Sequence, residues 1–223
     1  MSFQKLMEHF ILKYLVVPKT PAVEPGKKHV ACIGDSITFG AGVNGKREET
    51  WEYFLNGLLG EEFQVLNYGI SGRTLQKEGD YPYTADKVNP VSKYCGAETY
   101  LIMLGTNDAK PYNWDRDRYE KQLAAFAKEY MDLSQKPEVI LMTPPQCYVD
   151  PKIGKVGFDI EAETIDGQIT DIVKKTAADL GLRVIDLHAL TQDHSAWFDD
   201  GVHPNREGNE EIAKYIAAEL GKA

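Results

Sequence analysis

Short β-rich runs alternate with longer runs of helical period along most of this chain. The β-rich runs lie at 29–33, 63–68, 99–104, 139–143 and 183–187, and the helical runs lie at 48–59, 119–133, 160–180 and 205–220. Strand and helix in alternation indicate a parallel sheet with helices on both faces, and nearly continuous apolar strands are typical of a sheet buried on both sides. The pattern therefore predicts an α/β domain of three layers (αβα) with a central five-stranded parallel sheet. Its functional site should lie at the carboxyl ends of the strands.

The chain before the first strand follows a different pattern. Residues 3–17 carry apolar side chains at helical spacing, and residues 18–28 contain three prolines and a glycine. We expect an N-terminal helix and linker over 1–28 and the main domain over 29–223. The helix packs on its own domain, or alternatively on a partner subunit in a homo-oligomer. Lys13 interrupts the apolar run and no small-residue cleavage site follows, so we expect neither a secretory signal nor a membrane span.

The composition excludes several classes of function. A net charge of −9 works against a nucleic-acid partner, which requires clustered Lys and Arg. The three cysteines, Cys32, Cys95 and Cys147, are odd in number and lack the spacing of metal ligands, so they are expected as buried free thiols, which favours a cytoplasmic location. No phosphate-binding glycine loop or metal-ligand cluster is recognisable, and we predict neither a cofactor nor a metal.

The first strand runs directly into Gly34-Asp35-Ser36-Ile37-Thr38. A serine at this position would be presented at the edge of the sheet near the start of a short helix, where a backbone N–H favours developing negative charge. A serine hydroxyl is a weak nucleophile that needs an adjacent base. Ser36 is therefore a candidate nucleophile, and the alternative is that it only caps the helix.

Two further strands end in candidate hydrogen-bond donors. The second ends in Asn67-Tyr68-Gly69-Ile70-Ser71-Gly72-Arg73, and the third ends in Leu104-Gly105-Thr106-Asn107-Asp108. The N–H groups of Ser36 and Gly69, together with the Asn107 side-chain amide, would form an oxyanion hole for a tetrahedral intermediate. A plain turn is the alternative for each of the two segments.

The chain also supplies a candidate acid and base near its C-terminus, in Phe198-Asp199-Asp200-Gly201-Val202-His203-Pro204-Asn205. A histidine hydrogen-bonded to the serine can take its proton and later deliver it to the leaving group, while a carboxylate fixes the tautomer of the ring. A turn through Gly201 would bring Asp200 and His203 together, and Asp199 is the rival carboxylate.

Taken together, Gly34-Asp35-Ser36, Gly69, Asn107 and Asp200-x-x-His203-Pro204 resemble the blocks of the SGNH (GDSL) hydrolase superfamily, with Ile37 in place of leucine. The resemblance covers the chain from Val30 to about Leu220. It implies the flavodoxin-like SGNH fold, a catalytic triad of Ser36, Asp200 and His203, an acyl-enzyme, and an oxyanion hole of Ser36, Gly69 and Asn107. It implies an esterase; the alternatives are a lysophospholipase, lipase or thioesterase for longer acyl chains, and a non-catalytic carbohydrate-binding protein on the same fold.

The substrate is indicated less specifically. The segment 103–114 resembles the sialate O-acetylesterase-like branch, which implies removal of small acyl groups, chiefly acetyl, from sugars. Tyr112, Trp114 and Trp197 are aromatic side chains near the motifs that would stack on a sugar or line an acyl pocket, with local packing as the alternative. Arg73 and Lys110 would meet a carboxylated substrate or form surface ion pairs.

Overall fold

Five parallel strands form one sheet, as the sequence predicts. The computed structural model describes residues 20–221. The strands are β1 (Lys28–Gly34), β2 (Phe63–Gly69), β3 (Thr99–Met103), β4 (Glu138–Met142) and β5 (Arg183–Ile185). Each lies within two residues of its predicted bounds, because buried parallel strands are marked by uninterrupted apolar runs.

The order of the strands places the carboxyl end of β1 at the centre of the sheet. The order is β2-β1-β3-β4-β5, and all neighbouring pairs are parallel. The chain thus passes from one side of β1 to the other between β2 and β3, and such a reversal opens a crevice at the carboxyl ends of the strands. Gly34, the last residue of β1, is paired with Gly69 of β2 on one side and Met103 of β3 on the other.

Helices cover both faces of the sheet, which confirms the predicted three layers. The α-helices with more than one turn are α2 (Trp51–Leu59), α3 (Val88–Lys93), α4 (Arg116–Met131), α5 (Thr170–Leu180) and α7 (Arg206–Glu219), and the one-turn helices α1 and α6 are Ser36–Phe39 and Leu187–Leu190. Alternate residues of β1 belong to two separate cores. Ala31 and Ile33 pack towards α4 and α5, whereas Val30 and Cys32 pack towards α2 and α7.

The helix ends differ from the predicted bounds where local hydrogen bonds determine them. α4 begins three residues before the predicted start, because the Asp115 side chain accepts a hydrogen bond from Arg118 N–H and caps it. The predicted helix 160–180 is divided into an α-helical turn (Ala162–Thr164), a π-helix (Ile165–Ile169) and α5. Helix α3 was not predicted, since it includes a proline and its six residues are too few to show a helical period.

Several predictions concern the whole chain. The predicted N-terminal helix, with its alternative packing on a partner subunit, lies outside the described residues. The three cysteines are free and buried, as expected. None of the helices within residues 20–221 has the length and apolar character that crossing a membrane would require.

Candidate active site

Ser36 is the first residue of α1, directly after the central strand β1. Asp35 caps this helix, since its side chain accepts a hydrogen bond of 3.0 Å from Ile37 N–H. The capping role that was the alternative for Ser36 is therefore filled by its neighbour, and the Ser36 hydroxyl is available for another partner. The N–H of Ser36, as the first of a helix, has no acceptor within that helix.

The Ser36 hydroxyl lies in a line of hydrogen bonds with His203 and Asp200. Ser36 Oγ is 2.9 Å from His203 Nε2, and His203 Nδ1 is 2.7 Å from Asp200 Oδ2. A carboxylate can only accept, so Nδ1 carries the proton that it donates to Asp200, and Nε2 is left to accept from the serine hydroxyl. The three predicted catalytic side chains are thus connected by direct hydrogen bonds, with His203 between Ser36 and Asp200.

The loop around Asp200 holds this carboxylate in place. Asp200 Oδ1 accepts hydrogen bonds from the backbone N–H groups of Val202 (2.9 Å) and His203 (2.7 Å). Burial raises the pKa of Asp200, but the hydrogen bonds and the charge of His203 outweigh it and bring the pKa to about 2. Asp200 is therefore ionised at neutral pH. The rival Asp199 is exposed and accepts from Asn205 Nδ2 at 3.1 Å.

A second carboxyl group, that of Asp35, lies beside the nucleophile in a buried position. Burial raises the pKa of Asp35 to about 6, against the opposing hydrogen bond from Ile37 N–H and the attraction of His203. Its other oxygen, Oδ2, is 3.5 Å from Asn107 Nδ2. The structure therefore has two carboxyl groups near His203, and only Asp200 contacts its ring.

Asn107 lies at the same edge of the sheet, after β3, and is buried. Its Nδ2 donates to the backbone carbonyl of Arg73 at 3.2 Å, and its own carbonyl accepts from Asn113 Nδ2 at 2.9 Å. The adjacent Asp108 accepts from the N–H groups of Leu75 and Gln76, each at 2.8 Å. These bonds connect the loop after β2 to the loop after β3 and hold the Asn107 amide close to Asp35.

The prediction that Gly69 supplies a free N–H is wrong. Gly69 N–H donates to Asn67 Oδ1 at 2.8 Å, so the group required for an oxyanion is already engaged. A glycine is required at this position for a different reason, because a Cβ would collide with the backbone of Thr38 and Phe39. Gly69 lets α1 lie directly against β2.

A donor that the sequence reasoning missed lies three residues further on. Gly72 is buried and has a φ of 78°, a conformation that favours glycine. Among the described residues, the N–H of Gly72 has no hydrogen-bond acceptor. It precedes Arg73, whose carbonyl accepts from Asn107. The signal was present in the same motif, where a second glycine follows Ser71.

Arg73 does not lie at the site as a ligand for substrate. Its guanidinium is buried, donates to the Ser71 carbonyl at 3.0 Å and forms an ion pair of 2.7 Å with Asp86. The prediction of a substrate-binding arginine is therefore not supported, since the charge is already compensated within the protein. Lys110 is likewise buried, with its Nζ 3.4 Å from Asp80 Oδ2.

Two of the three predicted aromatic residues pack on neighbouring rings, which favours the alternative of local packing for these two. Trp114 packs against Tyr119 with ring centroids 5.4 Å apart, and Trp197 is buried and stacked on His194 at 3.9 Å. Tyr112 is 59% exposed and stays a predicted substrate contact.

Over the described part of the chain, no group of three or more His, Cys, Asp or Glu side chains is arranged to hold a metal ion.

The chain is similar in sequence to known esterases. Residues 32–211 match the GDSL-like lipase/acylhydrolase family. The acetylxylan esterase of Xylanibacter ruminicola is 32% identical over 228 residues, which cover 94% of this chain and 45% of that protein. The chain spans less than half of the length of the curated relatives that it matches.

Solved structures of similar proteins have the same fold. A candidate arylesterase from Agrobacterium tumefaciens strain C58 is 26% identical, with a TM-score of 0.72 over 87% of this chain and 98% of the other. A carbohydrate acetylesterase from Sinorhizobium meliloti has a TM-score of 0.71 at 20% identity, over 87% of this chain and 99% of the other. At that identity the second likeness concerns the fold alone.

Proposed function

The chain belongs to the GDSL-like lipase/acylhydrolase family, and we propose that it is a serine esterase that removes acetyl groups from carbohydrates. The observation that carries the proposal is the line of hydrogen bonds from Asp200 through His203 to Ser36, with distances of 2.7 and 2.9 Å. A structural role does not require a buried hydroxyl, an imidazole and a carboxylate in this order, whereas nucleophilic catalysis does.

In the first half of the proposed reaction, Ser36 Oγ attacks the carbonyl carbon of the ester while His203 Nε2 takes the hydroxyl proton. The tetrahedral intermediate collapses when the bond to the alcohol oxygen breaks, and His203 delivers its proton to that oxygen. The alcohol leaves, and the acyl group stays on Ser36. Asp200 stabilises the imidazolium that forms between these two proton transfers, because its carboxylate is ionised and accepts from Nδ1.

In the second half, a water molecule repeats the sequence. His203 Nε2 takes a proton from the water, whose oxygen attacks the acyl carbon, and the proton is returned to Ser36 Oγ as the carboxylic acid leaves. The exposed fraction of His203 is 9%, so the ring is shielded while its reacting edge faces the hydroxyl.

We assign the oxyanion to three donors: Ser36 N–H, Asn107 Nδ2 and Gly72 N–H in place of Gly69. The support for Asn107 is its buried position and the weakness of its 3.5 Å contact with Asp35, which a charged oxygen would replace. The support for Gly72 is its unsatisfied N–H in a buried, left-handed turn. One such donor contributes about 3 kcal/mol to the transition state.

The acyl group and the alcohol are inferred from the relatives. An acetylxylan esterase among them is named for its action on acetylated xylan, and this supports acetyl as the acyl group and a sugar as the alcohol. The resemblance of residues 103–114 to the sialate O-acetylesterase-like branch stays a prediction, as does the cytoplasmic location expected from the free thiols.

A panel of substrates tests this function. The enzyme should hydrolyse acetylated methyl xyloside and 4-nitrophenyl acetate, with activity that falls as the acyl chain lengthens from acetate to octanoate. Activity that rises with chain length would instead support a lipase or lysophospholipase. Binding of acetylated xylan without turnover would support a non-catalytic carbohydrate-binding protein.

A further inference from the structure

A strained turn lies beside the catalytic histidine. Phe158 and Asp159 are consecutive non-glycine residues in the left-handed region, with φ values of 61° and 58°. Such a conformation is unfavourable for an aromatic residue, and strained backbone of this kind is concentrated at functional sites. Glycine would adopt this conformation without strain, yet the chain has a phenylalanine here, directly after Gly157.

The neighbouring backbone holds this turn in position. Ile160 N–H donates to the Gly157 carbonyl at 3.2 Å, and Glu161 N–H donates to the Ala109 carbonyl at 3.1 Å. Ile160 is itself buried in the core that covers one face of the sheet. The turn is therefore fixed to the loop that carries Asn107, and it presents Phe158 from a rigid base.

The Phe158 ring lies against the imidazole of His203. The ring centroids are 5.0 Å apart and the planes form an angle of 78°, an edge-to-face contact. The side chain is nevertheless 49% exposed. An aromatic side chain that was needed only to fill the core would be buried, whereas this one offers apolar surface to a ligand next to the catalytic base.

We propose that Phe158 is a specificity-determining residue that contacts the alcohol part of the ester. His203 Nε2 delivers its proton to the alcohol oxygen, so the group attached to that oxygen must lie beside the imidazole. The ring of Phe158 offers exposed apolar surface beside the imidazole, and it suits the C–H face of a pyranose. This inference rests on the proposed esterase function and deepens it by naming the side chain that recognises the sugar.

The connection that contains this turn also provides a matched control. Ile153 is 54% exposed and lies five residues before Phe158, in the same connection between β4 and the π-helix. Ile153→Ala removes a similar amount of exposed apolar surface at a position outside the strained turn. Phe158→Trp keeps an aromatic surface, and Phe158→Ala removes it.

The experiment compares two acetate esters that differ only in their alcohol, acetylated methyl xyloside and ethyl acetate. Phe158→Ala should lower kcat/KM for the xyloside by about fivefold to tenfold, the value of a stacking contact, and change that for ethyl acetate by less than about twofold. Phe158→Trp should restore the preference, and Ile153→Ala should leave both values unchanged.

Three results would overturn the inference. Equal losses on both esters would mean that Phe158 only supports His203, and a loss that changes along the acetate-to-octanoate series of the substrate panel would place the ring in the acyl pocket. Unchanged kinetics of Phe158→Ala on both esters would remove any role in recognition. If the wild-type enzyme hydrolyses ethyl acetate but not the xyloside, the carbohydrate part of the proposed function fails as well, and this outcome is distinct from the other three because it appears before any substitution is made.

Discussion

Asp200→Asn separates the charge of this side chain from its shape. Asparagine has nearly the same volume, and its oxygen can still accept from the N–H groups of Val202 and His203, which lie 2.9 and 2.7 Å from Asp200 Oδ1. Its NH2 group, however, would face His203 Nδ1 at the position of Oδ2. The ring must then accept through Nδ1 and carry its proton on Nε2, where it can no longer accept from Ser36.

The expected losses differ between catalysis and stability. The wrong tautomer should lower kcat by about 10³-fold to 10⁴-fold, which corresponds to about 4 to 5.5 kcal/mol of transition-state stabilisation. The pKa of Asp200 is held at about 2, so its charge stabilises the folded state above the unfolded pKa, and this contribution is lost as the pH falls from about 4 to 2. Because a third of the side chain is exposed, we expect only about 1 kcal/mol at pH 7.

Asp199→Asn is the matched control for this prediction. Asp199 is the adjacent, exposed carboxylate, and its contact is with Asn205 rather than with the imidazole. Steady-state hydrolysis of 4-nitrophenyl acetate at pH 7, with thermal unfolding of each variant, should show kcat within about twofold of wild type for Asp199→Asn. The reasoning is refuted if Asp199→Asn is the more damaging change, or if Asp200→Asn retains more than a tenth of the wild-type kcat.

Further predictions concern stability. Burial raises the pKa of Asp35 to about 6, so the folded state keeps a proton that the unfolded state releases near pH 4. The free energy of unfolding of Asp35→Asn should therefore rise by up to ~3 kcal/mol relative to that of wild type between pH 4 and pH 7, measured by denaturant titration. A difference that stays constant over this range would contradict the prediction. Arg73→Met leaves Asp86 without its buried partner and should cost about 3 kcal/mol of folding free energy, whereas Arg116→Met, at an exposed pair, should cost less than about 0.5 kcal/mol. Equal costs would contradict a stabilising role for the buried Arg73–Asp86 ion pair. Phe158→Gly should be about 1 kcal/mol more stable than Phe158→Ala by thermal unfolding, because only glycine relieves the positive φ, and the reverse order would exclude the strain.

The sheet and its order of motifs could be read from the sequence because they depend on local patterns. Apolar runs mark the five strands, and the polar residues that follow β1 and β3 mark the edge where the site lies. Ser36, Asp200 and His203 were predictable because a nucleophile, a base and a carboxylate form a recognisable set even when they are far apart in the chain. The helix that begins at Arg116 was placed three residues late, since its cap is a side-chain hydrogen bond.

The remaining parts of the site depend on tertiary contacts that a sequence pattern does not contain. Gly69 and Gly72 occupy the same motif, and only the bond from Gly69 N–H to Asn67 decides between them. Arg73 could not be separated from a surface arginine until Asp86, thirteen residues away, was seen beside it. Phe158 carries no signal at all, because neither its positive φ nor its contact with His203 is visible in the residues around it.

Covalent trapping of the nucleophile tests the central assignment most directly. A fluorophosphonate probe reacts with an activated serine, and mass spectrometry of the digested protein locates the adduct. The wild-type protein should carry one adduct on the peptide that contains Ser36, and Ser36→Ala should carry none and lose hydrolysis of 4-nitrophenyl acetate. An adduct on another residue, or full turnover by Ser36→Ala, would contradict the assignment of Ser36 as the nucleophile.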